Sequence, residues 1–410
     1  MRRTRVLAIG LVAGLGFGTA LVAPGTAVGT SGEGGTVRFA TYNASLNRGA
    51  AGQLVADLST PANAQAGAVA EVIQRERPDV LLINEFDYVP GQRAADLFRS
   101  NYLEVGHNGA APIHYPYVYV APSNTGVPSG FDLNNDGQVS GGDDAFGFGV
   151  FEGQYGMVVY SRYPIDTKHV RTFQLFKWRD MPGAMLPDNP ATPAPADWYT
   201  PAELNVFRLS SKSHWDLPIE IGHRTVHFLV SHPTPPTFDG AEDRNGTRNH
   251  DEIRFWADYI QPSRSSYIYD DKGRYGGLRP GSPFVIAGDQ NSDPVDGDSV
   301  PGAIQQLIDN PRIIDPQPSS AGGAEAAVLQ GGANTAHKGD PKYDTADFAD
   351  SAPGNLRADY VLPSTQLKPV RTGVFWPVQA DPLFRLTGVF PFPTSDHRSV
   401  WLDVRVPGRH

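Results

Sequence analysis

Eight side chains stand where short apolar runs end, and their chemistry is of one kind. Phe284-Val285-Ile286-Ala287 is an apolar run suited to a strand buried on both faces, and Gly288, Asp289 and Asn291 follow it. Gly288 lets the chain turn tightly, and on an extended backbone the spacing of Asp289 and Asn291 places both side chains on one face. Similar tips recur along the chain: Asn43 after Val37–Tyr42, Glu85 after Val80–Asn84, His232 after Thr225–Ser231, Asp359 inside Leu356–Leu362, and Asp396-His397 before Val400-Trp401. Together they suit hydrolysis of a phosphate ester. Glu85 and Asp396 supply the oxygen ligands that Mg²⁺ or Mn²⁺ requires. Asp289 can take a proton from an attacking water, and His232 and Asn291 can neutralise charge on phosphoryl oxygens. Asp359 can hold His397 in one tautomer and favour its cationic form.

The elements that must position these groups alternate strand and helix. A helix is expected between Pro61 and Pro78, with Val69, Val72 and Ile73 on one face, and another after Asn249, with Ile253, Trp256, Ala257 and Ile260 on one face. Asn249-His250-Asp251-Glu252 is expected as a solvated first turn. The long loop after His232, including Glu242, Asp243 and Arg244, and the Pro- and Trp-rich stretch 171–218 are expected near the mouth of the site. Residues 292–350 are expected to be mostly loop.

One insert has chemistry of its own. Asp132, Asn134, Asp136, Ser140 and Asp143 occupy positions one, three, five, nine and twelve of a twelve-residue loop. Gly137 stands at the sixth, where an EF-hand loop turns sharply, and Val139 is the expected apolar plug. A Ca²⁺ ion needs this many oxygens. Asp at position twelve resembles the loops of dockerin-like modules, and a single loop suggests a structural staple rather than a sensor.

The chain has 410 residues, 40% of them hydrophobic, enough for one large domain with insertions. It has no Cys, which excludes disulfides, zinc–thiolate sites and cysteine catalysis. Arg2, Arg3 and Arg5 precede an apolar run from Val6 to Ala23 and small residues Gly25-Thr26-Ala27. Residues 1–27 are therefore expected to be a cleaved secretory signal, 28–35 a flexible lead-in, and 36–410 the catalytic domain of a secreted monomer with no stable membrane association. Loss of the three signal arginines takes the formal net charge from −10 to −13. An acidic protein binds nucleic acid poorly without a basic groove, so small phosphate esters are favoured over nucleic acid as substrate.

At Thr41-Tyr42-Asn43, Ile83-Asn84-Glu85, Ser231-His232-Pro233, Gly288-Asp289-Gln290-Asn291, Arg357-Ala358-Asp359-Tyr360 and Ser395-Asp396-His397 the chain resembles the endonuclease/exonuclease/phosphatase superfamily. The resemblance implies an α/β, DNase I-like fold: a four-layered αββα sandwich of two mixed sheets with helices outside. It also implies that Asn43 and Glu85 serve the metal with Asp396 nearby, and that Asp289 orients or activates water. Asn291 and His232 would bind the scissile phosphate, and His397, paired with Asp359, would be base or phosphate ligand. Asn84 departs from the Gln found in many members, and the calcium-loop insert is not general to the family. An extracellular nuclease and a calcium-stabilised binding module are the alternatives.

Overall fold

The computed structural model describes residues 35–407; residues 1–34, which hold the expected signal segment and all of the lead-in but Gly35, lie outside the described residues. Its strands in chain order are β1 (Thr36–Leu46), β2 (Val80–Phe86), β3 (Tyr117–Tyr119), β4 (Met157–Ser161), β5 (Arg171–Thr172), β6 (His214–Ile221), β7 (Arg224–Ser231), β8 (Phe284–Asp289), β9 (Ala346–Asp347), β10 (Asn355–Leu356), β11 (Asp359–Pro363), β12 (Lys368–Val374) and β13 (Val400–Arg405). They form a six-stranded sheet in the order β12-β13-β1-β2-β4-β3, a five-stranded sheet in the order β11-β8-β7-β6-β5, and the small pair β10-β9. Each large sheet is mixed, with one parallel pair: β1 beside β2, and β7 beside β8.

Alternation along the strands builds the layers. In β1, Val37 and Phe39 enter the core between the sheets, where Phe39 meets Phe228 at 5.5 Å between ring centroids, while Ala40 and Tyr42 face the other way. Val80 and Leu82 against Leu81 and Ile83, and Val285 and Ala287 against Phe284 and Ile286, divide likewise. A strand covered on both faces needs apolar residues at every position, which explains the unbroken runs. The helix Ala64–Glu76 covers the outer face of the first sheet through Val69, Val72 and Ile73. The helix Arg244–Tyr259 covers the second through Ile253, Phe255 and Trp256. Helix, sheet, sheet, helix is the expected four-layered sandwich.

Several local expectations are corrected. The second of these helices begins at Arg244, inside the stretch expected as loop, and its Asn249, Asp251 and Glu252 are fully buried rather than solvated. They hold backbone and one indole: Glu252 accepts from Ser211 N and Thr234 N, Asp251 from Trp178 Nε1 and Met185 N, and Asn249 donates to Thr234 O and Gln290 O. Residues 214–218 belong to β6 despite Pro218, and a helix Ala321–Gln330 lies within the Gly- and Ala-rich stretch expected as loop. Asp359 opens β11 rather than lying inside a strand. None of the helices among the described residues is long and apolar enough to cross a membrane.

Candidate active site

The site lies where β1, β2, β7 and β8 end together. Gly288 is required for close approach rather than for a turn: a Cβ there would lie 2.0 Å from Ser231 O on neighbouring β7. The turn comes at Asn291, whose φ is 49°, a left-handed value that Asn tolerates better than most residues. Asp289 and Asn291 thus converge through a tight turn and not through extended alternation. Asn291 N donates to Asp289 Oδ1 (2.8 Å) and Asn291 Nδ2 to Pro233 O (3.1 Å). Asn84 joins the sheets here, its buried Oδ1 accepting from Asp289 N at 3.2 Å.

Asp289 is the hub. Its Oδ2 accepts from Asn43 Nδ2 (3.0 Å) and faces the Nε2 atoms of His232 (3.4 Å) and His397 (3.5 Å). Burial pushes the Asp289 carboxyl above its usual range, and the His397 ring opposes that shift. Asn43 also donates to Glu85 Oε1 at 3.1 Å, so one buried amide holds two carboxylates. As oriented, Asn43 turns its Nδ2 toward the site and its Oδ1 toward Ser45 N.

His397 is clamped on both sides. Its Nδ1 lies 2.8 Å from Asp359 Oδ2, and Asp359 stands directly opposite Asp289 in the antiparallel β11–β8 pair. Burial disfavours the charged ring, but Asp359 and then Asp289 outweigh it and raise the His397 pKa well above the ordinary histidine value. The close grouping of Asp289, Asp359 and His397 has the spacing of a metal centre. Because both ring nitrogens face carboxylates, we read it instead as a bridged proton site. His232 differs: burial, then the charges of Lys212 and His397, lower its pKa well below the ordinary value. Burial thus favours the neutral ring, which can donate a hydrogen bond.

Glu85 and Asp396 both line the cleft. Burial and the Asp396 charge raise the Glu85 pKa, offset by His397, Asn43 and Lys212. Two facing carboxylates, one partnered only by an amide, are a donor set that fits a hard divalent cation. Asp396 Oδ1 stands 3.4 Å from Ser45 Oγ.

Sequence reasoning missed three residues. Lys212 lies beside Glu85 and Asp289 at only 6% exposure, and burial lowers its pKa. Thr345 Oγ1 donates to Asp359 Oδ2 at 2.9 Å, and the Phe348 ring stands edge-on to His397. A lone Lys just before an alternating strand was a faint signal; Thr345 gave none.

The insert is only partly as expected. Asp132 Oδ2 accepts from Gly137 N (2.8 Å), Asn134 Oδ1 from Asp136 N (3.1 Å) and Asp136 Oδ1 from Gln138 N (2.8 Å), with Gly137 at φ 87°. These three side chains already turn into the loop. Asp143 is exposed, whereas neighbouring Asp144 is buried and accepts from Leu133 N and Ser140 N. Val139 is 61% exposed and plugs nothing, since no helix pair flanks the loop; Leu133 packs inward instead.

The profile of the Endonuclease/Exonuclease/phosphatase family matches residues 40–397. The chain belongs to that family. The fold is also similar to an endonuclease/exonuclease/phosphatase from Beutenbergia cavernae (17% identity over 91% of this chain and 72% of that one, TM-score 0.48). Others are a family protein from Leptotrichia buccalis (12%, 90% and 99%, 0.46) and the mannosyl-6-phosphatase of Bacteroides thetaiotaomicron (12%, 90% and 99%, 0.43). No curated protein matches. The chain is accordingly a hydrolase of the endonuclease/exonuclease/phosphatase superfamily.

Proposed function

We propose that this protein is an exported, divalent-cation-dependent phosphoesterase that hydrolyses mono- or diesters of small alcohols. The observation that carries the reading is the Asp289 carboxylate, ringed by Asn43, His232 and His397 at one end of a cleft of about 790 Å³. A small substrate is favoured because Glu85, Asp289, Asp293, Asp298 and Asp396 line that cleft with neither Lys nor Arg among the lining residues. A polyanion needs the reverse.

Glu85 and Asp396 would hold Mg²⁺ or Mn²⁺, with Asn43 fixing Glu85; the ion would supply charge to polarise the phosphoryl group. Asp289, kept basic by burial, accepts the proton of the attacking water as the bond to the leaving alkoxide breaks. Cationic His397, anchored by Asp359, and the amide of Asn291 stabilise charge on phosphoryl oxygens, and neutral His232 donates a hydrogen bond. Asp132, Asn134 and Asp136, with Ser140 and Asp143, would hold a structural Ca²⁺ ion.

The test is a panel of DNA, RNA, sphingomyelin, sugar phosphates and inositol phosphates, each with Mg²⁺, Mn²⁺, Ca²⁺ or chelator. Chelator-sensitive turnover of a small ester is expected. Turnover of DNA or RNA alone would favour a nuclease, and no turnover of any ester would reject the reading.

A further inference from the structure

A second cavity, of about 590 Å³, opens beside the catalytic cleft and shares Glu85, His232, Pro235, Thr237 and Phe238 with it. Its character is different. Aromatic rings line it beside Arg244 and Arg248: Phe148 and Tyr155 stand 6.4 Å apart between centroids, and Phe148 and Phe238 are 55% and 83% exposed. At the boundary with the cleft lies Lys212. Its buried ammonium has three donors, and among the described residues its hydrogen bond is a long 3.5 Å contact to Pro233 O.

Segments on either side of the 132–143 insert, with Leu133 and Asp143 from the insert itself, wall this cavity. Gly147 packs so closely that a Cβ would lie 1.8 Å from Ser211 O, and Asn124 N donates to Lys212 O at 2.9 Å. Buried Arg248 fastens the same segments, donating to Leu209 O at 2.8 Å, to Arg208 O at 3.0 Å and to Phe146 O. The wall is held by backbone contacts and by the Arg248 guanidinium, so the space is formed before a ligand arrives.

Resting on the phosphoesterase reading, we infer that this cavity seats the alcohol portion of the substrate, and that the substrate is a phosphate ester of an apolar or aromatic alcohol. The volume falls within the range of small-molecule sites, about 300–1,000 Å³. A short polar alcohol would leave it unfilled. The phosphoryl group lies where the two cavities meet, at Glu85 and His232, and takes the free donors of Lys212. A ring then packs among Phe148, Tyr155 and Phe238. The far side of the cleft sets Asp293 and Asp298 beside Phe348, Leu356 and Pro353, an apolar surface with fewer aromatic rings than the second cavity.

The experiment is calorimetric titration of the metal-loaded full chain with 2-phenylethylphosphonate and with ethylphosphonate, neither of which can be hydrolysed. The phenyl compound should bind on the order of tenfold to a hundredfold more tightly, as burial of one ring predicts. That gap should close in the Phe148→Ala/Phe238→Ala double variant. It should persist in Val389→Ala/Phe390→Ala, which removes exposed apolar side chains that line neither cavity. Equal affinities in the parent, or a gap that survives loss of Phe148 and Phe238, would overturn the inference. Hydrolysis of the matching phosphates is read separately, since their two alcohols are of similar acidity. A binding gap without turnover of either ester would strike down the catalytic reading and leave the cavity as the seat of the apolar part of a phosphoryl ligand.

Discussion

Thr345 offers the sharpest test of how the site is held. It is fully buried, and its hydroxyl makes three hydrogen bonds: it donates to Asp359 Oδ2 (2.9 Å) and accepts from Ala358 N (3.0 Å) and Asp359 N (2.9 Å). Thr345→Val keeps the shape and removes all three. Two buried backbone N–H groups then lack an acceptor, each costing roughly 1–3 kcal/mol, and a carboxylate loses one of its two side-chain donors. These effects share one site and do not add fully, so the loss of stability should be about 2–5 kcal/mol. That is tolerable for a domain of ordinary stability, about 5–15 kcal/mol.

The same hydroxyl fixes the rotation of the Asp359 carboxylate that anchors His397. Freed on one side, the carboxylate and ring drift, and kcat should fall by about tenfold to a hundredfold, as small misplacements of catalytic groups do. Thr345→Ser keeps the hydroxyl and should restore turnover even though it loses a methyl group. The assay is kcat on the best ester of the panel at a temperature where circular dichroism shows every variant folded, beside urea unfolding of each. A destabilised Val variant with parental kcat would refute the anchoring argument and leave Thr345 as structure only.

Asp289→Asn should remain folded and lose roughly a hundredfold or more in turnover, since the shape is kept and the basic oxygen is not; near-parental turnover in a steady-state assay would remove Asp289 from its role. Asp132→Ala/Asp136→Ala should abolish any rise of melting temperature with Ca²⁺ while sparing hydrolysis, and a parent that melts equally in calcium and in chelator would dismiss the loop as a calcium site. Glu76 is buried, its Oε2 accepts from Ser399 Oγ at 2.5 Å, its Oε1 has no hydrogen-bond partner, and burial pushes its pKa up to about 7. The folded state therefore keeps a proton that the unfolded state releases, and this group's contribution to stability falls as pH rises from about 4.5 to about 7. Glu76→Gln should gain on the parent across that window by up to about 3 kcal/mol in urea unfolding, and no gain between pH 5 and pH 8 would contradict the shift.

The sequence was most informative where physics is local and repetitive. Val80–Ile83 and Phe284–Ala287 announced strands covered on both faces, and polar residues just after them announced a mouth. What could not be read depends on distant partners. His214-Trp215-Asp216-Leu217-Pro218 looks like loop because of its proline, yet β6 runs through it beside β7, with Pro218 opposite His227. Asn249-His250-Asp251-Glu252 carries the composition of a solvated turn, but Trp178, Ser211 and Thr234 arrive from elsewhere to satisfy its polar atoms. The charge state of His232 likewise depends on burial and on Lys212, neither visible in its neighbours along the chain.

The backbone at the mouth explains why these side chains stand ready. Ser45, Glu85 and Asn291 all have left-handed φ values, of 47°, 56° and 49°. For residues with a Cβ such values cost on the order of 1–3 kcal/mol each, and they persist only where surrounding structure leaves no alternative. Here it leaves none. β1 and β2 are in register up to Asn43 beside Asn84, and the register shifts before Leu46 pairs with Phe86, so the irregularity falls between those pairs, where Ser45 and Glu85 lie. Gln65 Nε2 pins Ser45 O at 2.8 Å and Thr394 O at 2.9 Å, which ties this bend to the turn carrying Asp396 and His397. At Asn291, the bonds to Asp289 and Pro233 complete the turn. Each bend stops a strand from continuing its alternation and leaves a polar side chain in the cleft. The bends are therefore part of how the site is set: they aim Glu85 and Asn291, and Asp289 is held beside them by Asn43 Nδ2 and Asn291 N.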